Sequence, residues 1–268
     1  MPARPERTAR RPLPALVLAL AGAQPAYAGQ PCRAEPLTVD EVRQSLALAQ
    51  RTFAALDASG ASVALLARAG QDLGKYGLEY SHMGIAVRDH AAGRWTVVHE
   101  LNTCGTADSD LYVDGVGNFF LTDLYRYRAQ VVIPAPDVQA RVAALLAGRT
   151  GRRLHEPHYN MLSYVYSTRY QNSNQWVLET LAAASAPPGA VETRAEAQSW
   201  LQGQGYRVPT VHVDALTRLG GRMFRANVAF DDHPFDRRMA GQIDTVTTDA
   251  IVGFVRGRDP QARVFVVE

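Results

Sequence analysis

Cysteine is scarce in this chain: Cys32 and Cys104 are the only two among 268 residues. That excludes a disulfide-dense scaffold and a multi-thiolate metal centre. Past the N-terminal segment, no apolar run reaches the ~20 residues that a bilayer-spanning helix requires. Internal repeats and low-complexity linkers are absent too, which argues against a solenoid or a bead-on-string array. Charge of one sign is also lacking. The formal net charge is +2, and residues 1–28 carry four Arg and one Glu, so the remainder stands at −1. A chain so balanced has no basic footprint for nucleic acid.

The first residues depart from this ordinary composition. Arg4, Arg7, Arg10 and Arg11 precede a short apolar run from Leu13 to Ala23, and Ala26-Tyr27-Ala28 fits a small-x-small cleavage site. Residues 1–28 therefore read as a secretory signal, followed by a single domain over residues 29–268 in the periplasm or outside the cell, with no stable membrane span after cleavage. Pro31 beside Cys32 leaves no lipobox. In an oxidising compartment Cys32 and Cys104 are expected to pair, which contributes roughly 4 kcal/mol on the chain-entropy account of so long a loop. The alternative is a reactive thiol at Cys104.

Thr38 with Glu41 three residues later forms a capping-box signature. Val42, Leu46, Ala49, Phe53 and Leu56 follow at helical spacing, and Gly60 ends the helix. Val63–Ala67, Tyr80–Val87 and Trp95–Leu101 read as strands, the last two as a hairpin around Asp89–Gly93. Residues 104–114 read as a loop, 118–121 and 127–133 as strands, 138–146 as a helix. Residues 155–169 are aromatic and irregular, and a helix runs on from Val177 to Pro187. Farther on, a helix is expected near 195–202, a strand near 207–213, a helix near 247–255 and a strand at 264–267.

The chemistry-bearing stretch is Asn172-Ser173-Asn174-Gln175-Trp176-Val177, taken with His82 and His99. Ser173 opens an apolar helix, where unpaired backbone N–H groups and the positive dipole end favour negative charge. Such a terminus can hold an acyl-transfer oxyanion. His82 and His99 lie on the two arms of the hairpin, at positions able to face each other. One imidazole within reach of the hydroxyl is a base, and the second orients the first. The plainer reading is that Asn172 or Ser173 caps the helix, since Asn172 and Gln175 have capping-box spacing. Both histidines also fit as half-buried strand residues. Trp176 reads as core. Tyr159, Tyr164, Tyr166 and Tyr170 either pack or line a cleft.

Two other clusters are weaker. His155-Glu156-Pro157-His158 looks like a metal pair, but Pro157 breaks the helical spacing and no third ligand appears. Asp108, Asp110 and Asp114 depart from calcium-loop spacing.

The segment Tyr80–Val87 followed by Val97-Val98-His99-Glu100-Leu101 resembles the His-strand-turn-strand-His unit of the lecithin:retinol acyltransferase-like proteins. Asn172–Val177 is similar to their Asn-Cys-Glu-His-Phe-Val helix start. These proteins belong with the permuted papain-fold amidases, which include cell-wall peptidases. More closely, the chain resembles a secreted bacterial family known only as a domain of unknown function (DUF2145). The superfamily likeness covers roughly residues 60–185. It implies an α+β fold of permuted papain type, with an antiparallel sheet or half-barrel packed on helices and a C-terminal extension from about residue 190. It also implies Ser173 as nucleophile, His82 as base and His99 as orienting residue, with no cofactor. The expected function is an exported hydrolase or acyltransferase for amide or ester bonds, with a cell-wall or lipid-derived ligand. The alternative is an inactive binding module for a cell-wall peptide, glycan or lipid. Ser at 173 instead of Cys is the main departure, because a hydroxyl needs a well-placed base where a thiol ionises readily.

Overall fold

The computed structural model describes residues 36–122 and 124–268. Residues 1–28 and Cys32 fall outside them, and so do the expected signal segment and the expected Cys32–Cys104 pairing. In chain order the elements are α1 (Val39–Ser59), β1 (Val63–Ala69), β2 (His82–His90), β3 (Gly93–Asn102), β4 (Ser109–Gly115), α2 (Val116–Phe120), β5 (Arg126–Ile133), α3 (Pro136–Ala147) and α4 (Thr150–Arg153). They continue with α5 (Ser173–Ser185), α6 (Arg194–Gly203), β6 (Thr210–His212), α7 (Ala215–Phe224), α8 (Phe235–Met239), β7 (Gln242–Asp244), α9 (Thr248–Arg258) and β8 (Arg263–Val267).

Six strands form one antiparallel sheet in the order β4-β3-β2-β1-β5-β8. Helices cover both faces, so central strands lack the usual in-out alternation: six of the seven positions of β1 are buried. On one face α5 brings Trp176, Val177, Leu178 and Leu181 against Leu65, Met83 and Ile85. On the other, α1 and α2 pack Leu48, Leu56, Phe119 and Phe120 against Ala64, Leu66, Ala86 and Val97. The expected capping box is present: the Thr38 side chain accepts from the Glu41 N–H, and the Glu41 carboxylate accepts from Thr38. Gly60 ends α1 with φ of 75°, a left-handed conformation that glycine adopts without strain.

Two segments differ from expectation. Residues 109–115, read as loop, form the edge strand β4. Its two charges, Asp110 at the solvated edge and Asp114 beside His99, hid the strand pattern. Residues 118–121, read as strand, lie in and just after the short helix α2. Its Phe119–Phe120 pair is anchored by the core, and a short apolar run does not distinguish helix from strand. The residues after about 190 do more than pack on the domain: β8 pairs with β5 to complete the sheet's far edge. Between them, β6 and β7 form a separate two-stranded ribbon around a small core of Val213, Val228, Phe230 and Ile243.

Candidate functional site

α5 begins where the β2 strand begins. Asn174 joins the two: its Oδ1 accepts from the Met83 N–H at 3.0 Å. The preceding residue, Asn172, is the helix cap, with Oδ1 accepting from the Gln175 N–H at 2.8 Å. Capping is thus done by Asn172, which leaves the Ser173 hydroxyl available. Ser173 Oγ lies 3.0 Å from His82 Nδ1.

The contacts run on. His82 Nε2 is 2.9 Å from His99 Nδ1, and His99 Nε2 is 3.0 Å from Asp114 Oδ2. Asp114 gives the chain its direction. A carboxylate only accepts, so His99 donates from Nε2 and its Nδ1 is a lone pair. His82 then donates from Nε2 to His99, and its own Nδ1 accepts the Ser173 O–H. Each neutral imidazole carries its proton on Nε2, an assignment fixed by the partners. In the sequence Asp114 stands out only as part of a poor calcium loop. Nothing in the chain signalled its place, because strand β4 went unrecognised.

The two histidines are not directly opposite one another. In the β2–β3 register Ile85 pairs with Val98, so His99 stands beside Gly84, two residues along β2 from His82. The imidazoles meet diagonally, ring centres 5.2 Å apart at 65°, and both contact the Phe119 ring, at 5.8 and 5.2 Å. The absence of a side chain at Gly84 gives them the room. Glu100 faces the other side of β3, as alternation requires. There it accepts from Ser109 Oγ at 2.9 Å, with His155 Nε2 3.1 Å from the same hydroxyl. Burial pushes the Glu100 carboxyl up to about 8, against the lowering effect of the Ser109 bond.

The site is enclosed: Ser173 is 5%, His82 9% and His99 1% exposed. Burial and then the neighbouring Arg68 guanidinium hold His82 well below the ordinary histidine range. The same two causes bring His99 down to about 4, opposed by its bond to Asp114. The His99–Asp114 contact is therefore a hydrogen bond from a neutral imidazole to a carboxylate. Arg68 faces His82 across the β1–β2 register, donates to the Phe119 carbonyl, and has its guanidinium carbon 4.7 Å from the centre of the Phe119 ring. Burial pushes the acidity of the Tyr159 phenol down, an effect opposed by the neighbouring Ser173.

A buried polar network behind the site holds the helix start. Glu179 Oε2 bonds Arg194 Nε at 2.8 Å and Gln171 Nε2 at 2.6 Å, and Oε1 accepts from Gln175 and Gln198. Arg194 also donates to the carbonyls of Thr168 and Tyr170, tying the 155–172 segment to α5. Sequence reading assigned no role to Glu179 or Arg194. Among the described residues no cluster of three or more His, Cys, Asp or Glu side chains is arranged to hold a metal ion. No described helix is long and apolar enough to cross a membrane.

Residues 55–255 match the family described as uncharacterized protein conserved in bacteria, DUF2145. The chain belongs to DUF2145. No curated protein and no solved structure matches it. The matched span includes each member of the contact chain, Ser173, His82, His99 and Asp114, as well as Arg68 and Tyr159.

Proposed function

We propose that this DUF2145 protein is an exported serine hydrolase or acyltransferase acting on amide or ester bonds, on a permuted papain-like framework. The observation that carries the reading is the 3.0 Å contact between Ser173 Oγ and His82 Nδ1, at the head of a directed chain ending on a carboxylate. A serine hydroxyl needs its proton removed as it attacks, and a neutral imidazole with an available lone pair meets that need.

In the proposed reaction the Ser173 oxygen bonds the substrate carbonyl carbon while its proton passes to His82 Nδ1. The carbonyl oxygen takes the negative charge, near the Ser173 N–H and the Tyr159 O–H. Collapse breaks the bond to the leaving amine or alcohol, which receives the proton from His82. Water or an acceptor alcohol or amine then attacks the acyl-serine, with His82 again taking the attacking group's proton and returning it to Ser173. His99 and Asp114 hold His82 in the competent tautomer. Cell-wall peptides and lipid-derived esters are substrates available to an exported protein of this kind.

A second reading is a binding module without chemistry. The enclosure of Ser173, 5% exposed, counts against chemistry at the hydroxyl, because a substrate must displace covering groups to reach it. Labelling by a fluorophosphonate decides between them. The hydrolase reading expects labelling that disappears in Ser173→Ala and falls strongly in His82→Gln. A folded protein that resists the probe at every pH from about 5 to 9 removes the hydrolase reading.

A further inference from the structure

Arg68 is an unusual neighbour for a base. Its guanidinium faces His82 across strands β1 and β2, and the Phe119 ring beneath it is the one both imidazoles touch. Its described hydrogen bond goes to a backbone carbonyl, not to a carboxylate. The opposite charge that acts on it is that of Asp114, at the other end of the relay. The other polar or titratable groups facing the imidazoles are Ser173 from α5, with Tyr159 of the 155–172 segment next to Ser173, and Asp114 with Tyr112 beside His99 on β4; Glu100 follows His99 but faces away. α1 and α2 bring apolar and hydroxyl groups to this face, among them Ser45, Thr52, Leu48 and Phe119.

The two imidazoles therefore lie between a fixed cation and a fixed anion. We propose that Arg68 is a positioning residue of the relay: its guanidinium, held on the Phe119 ring against His82, excludes a further positive charge and so keeps both imidazoles neutral and aligned from Ser173 to Asp114. The inference rests on the reading of these four residues as a relay. Asp114 sets which nitrogen carries each proton, and Arg68 adds to burial in limiting how many protons the pair carries. Neither task is done by the other charge. An anion alone would draw a second proton onto His99, which would then have no lone pair to accept from His82. A cation alone would leave the tautomers unassigned. Two opposed charges at the ends of two buried rings together bias both number and direction. The consequence is a site that stays in one protonation state through mildly acidic conditions, where an isolated histidine pair would be largely charged.

The test is side-chain nitrogen NMR of the uniformly ¹⁵N-labelled protein over a pH titration, with His82→Gln and His99→Gln assigning the signals. At about pH 6 both imidazoles should be neutral with the proton on Nε2. Arg68→Met should raise both midpoints by about one pH unit or more, the direction expected when a nearby like charge is removed. Arg68→Lys, which keeps the charge, should restore values near the wild type. The wild type alone overturns the proposal if either imidazole is protonated at about pH 6 or carries its proton on Nδ1. Midpoints unmoved in folded Arg68→Met overturn it as well. Because the readout needs no turnover, neutral aligned imidazoles in a protein that resists the fluorophosphonate would sustain this inference while removing the hydrolase reading.

Discussion

A methyl group on Gly84 would stand 3.0 Å from His99 Cβ and 2.7 Å from Val97 Cγ1. Neither neighbour has room to yield, since Val97 is fully buried and His99 nearly so. Gly84→Ala is expected to destabilise the protein by about 1–3 kcal/mol, the usual cost of overpacking a core. It should also push His99 off the diagonal that brings it to His82. Urea unfolding measures the first effect and fluorophosphonate labelling at a concentration of folded protein matched to the wild type measures the second. A variant as stable and as reactive as the parent would show that the ring placement does not depend on this glycine.

Asp114 orients the chain of donors, so Asp114→Asn removes the one group that can only accept. The amide then presents either an N–H or an oxygen to His99, and the Nε2 proton is no longer fixed. Labelling of Ser173 should slow by about 100-fold or more, as in triads where the orienting carboxylate is neutralised. Asp114 lies on a half-exposed edge strand, so folding should be little affected. Equal labelling rates in the two proteins would reduce Asp114 to a surface contact.

Most of the framework is legible in the sequence. The capping box at Thr38, the β2–β3 hairpin and the position of α5 follow from periodicity and local signals, because each is written in neighbouring residues. The meeting of Ser173 with His82 was also anticipated, from motif order. What was hidden depends on partners far apart in sequence. Asp114 acquires meaning only through the register that sets Val97 against it, and Arg68 only through pairing with His82. Gly84 looks like any strand glycine until the opposite residue is known. The Glu179–Arg194 pair joins a helix interior to the start of another helix, and charged residues within helices ordinarily read as solvated faces.

That pair gives a stability test. Glu179 and Arg194 are 1% and 6% exposed, and besides two hydrogen bonds from Arg194 the carboxylate of Glu179 accepts three more, from Gln171, Gln175 and Gln198. Arg194→Met leaves a buried carboxylate without its cation and frees the carbonyls of Thr168 and Tyr170. The expected loss is about 3–5 kcal/mol, the cost of breaking a buried pair from one side. Burial already raises the Glu179 carboxyl, so the orphaned group should take up a proton and recover part of the loss as pH falls. Denaturant midpoints at about pH 5 and pH 8 would check this. A loss below about 1 kcal/mol at both would mean the network is exchangeable.

Glu100 supplies a pH dependence whose sign can be worked out. Its carboxyl is raised to about 8 in the folded protein, above an ordinary value of 4.5. The folded state therefore binds the proton more tightly than the unfolded state. The stability this confers is fully present below about pH 4.5 and is lost as pH rises through 8. Glu100→Gln keeps the shape without the charge and should be insensitive over that window. The variant is expected to gain on the wild type by a few kcal/mol between about pH 5 and pH 9, seen as a relative rise in melting temperature of roughly 5 °C or more. Parallel melting curves across that range would show that the carboxyl is ionised in the fold and satisfied by partners such as Ser109.

Ser173→Cys asks what the site does for a nucleophile, whatever the native substrate. The thiol would sit at the first turn of α5 with His82 Nδ1 beside the position of the present hydroxyl. A helix N-terminus stabilises a thiolate, and a thiol can hand its proton to the imidazole outright, which a hydroxyl cannot. Arg68 works in the same direction on the thiolate and in the opposite direction on the imidazolium, so the ion pair forms only if its own attraction exceeds that repulsion. Enclosure also slows a bulky reagent, and a small one such as iodoacetamide is the appropriate probe. Alkylation at about pH 6 should exceed that of an ordinary thiol by roughly 10-fold, because a free cysteine there is almost entirely protonated. It should fall back toward the ordinary rate in Ser173→Cys combined with His82→Gln, which keeps the helix end but removes the proton acceptor. If the single and the double variant react alike, His82 does not take a proton at this position, and the serine in the natural chain has no base.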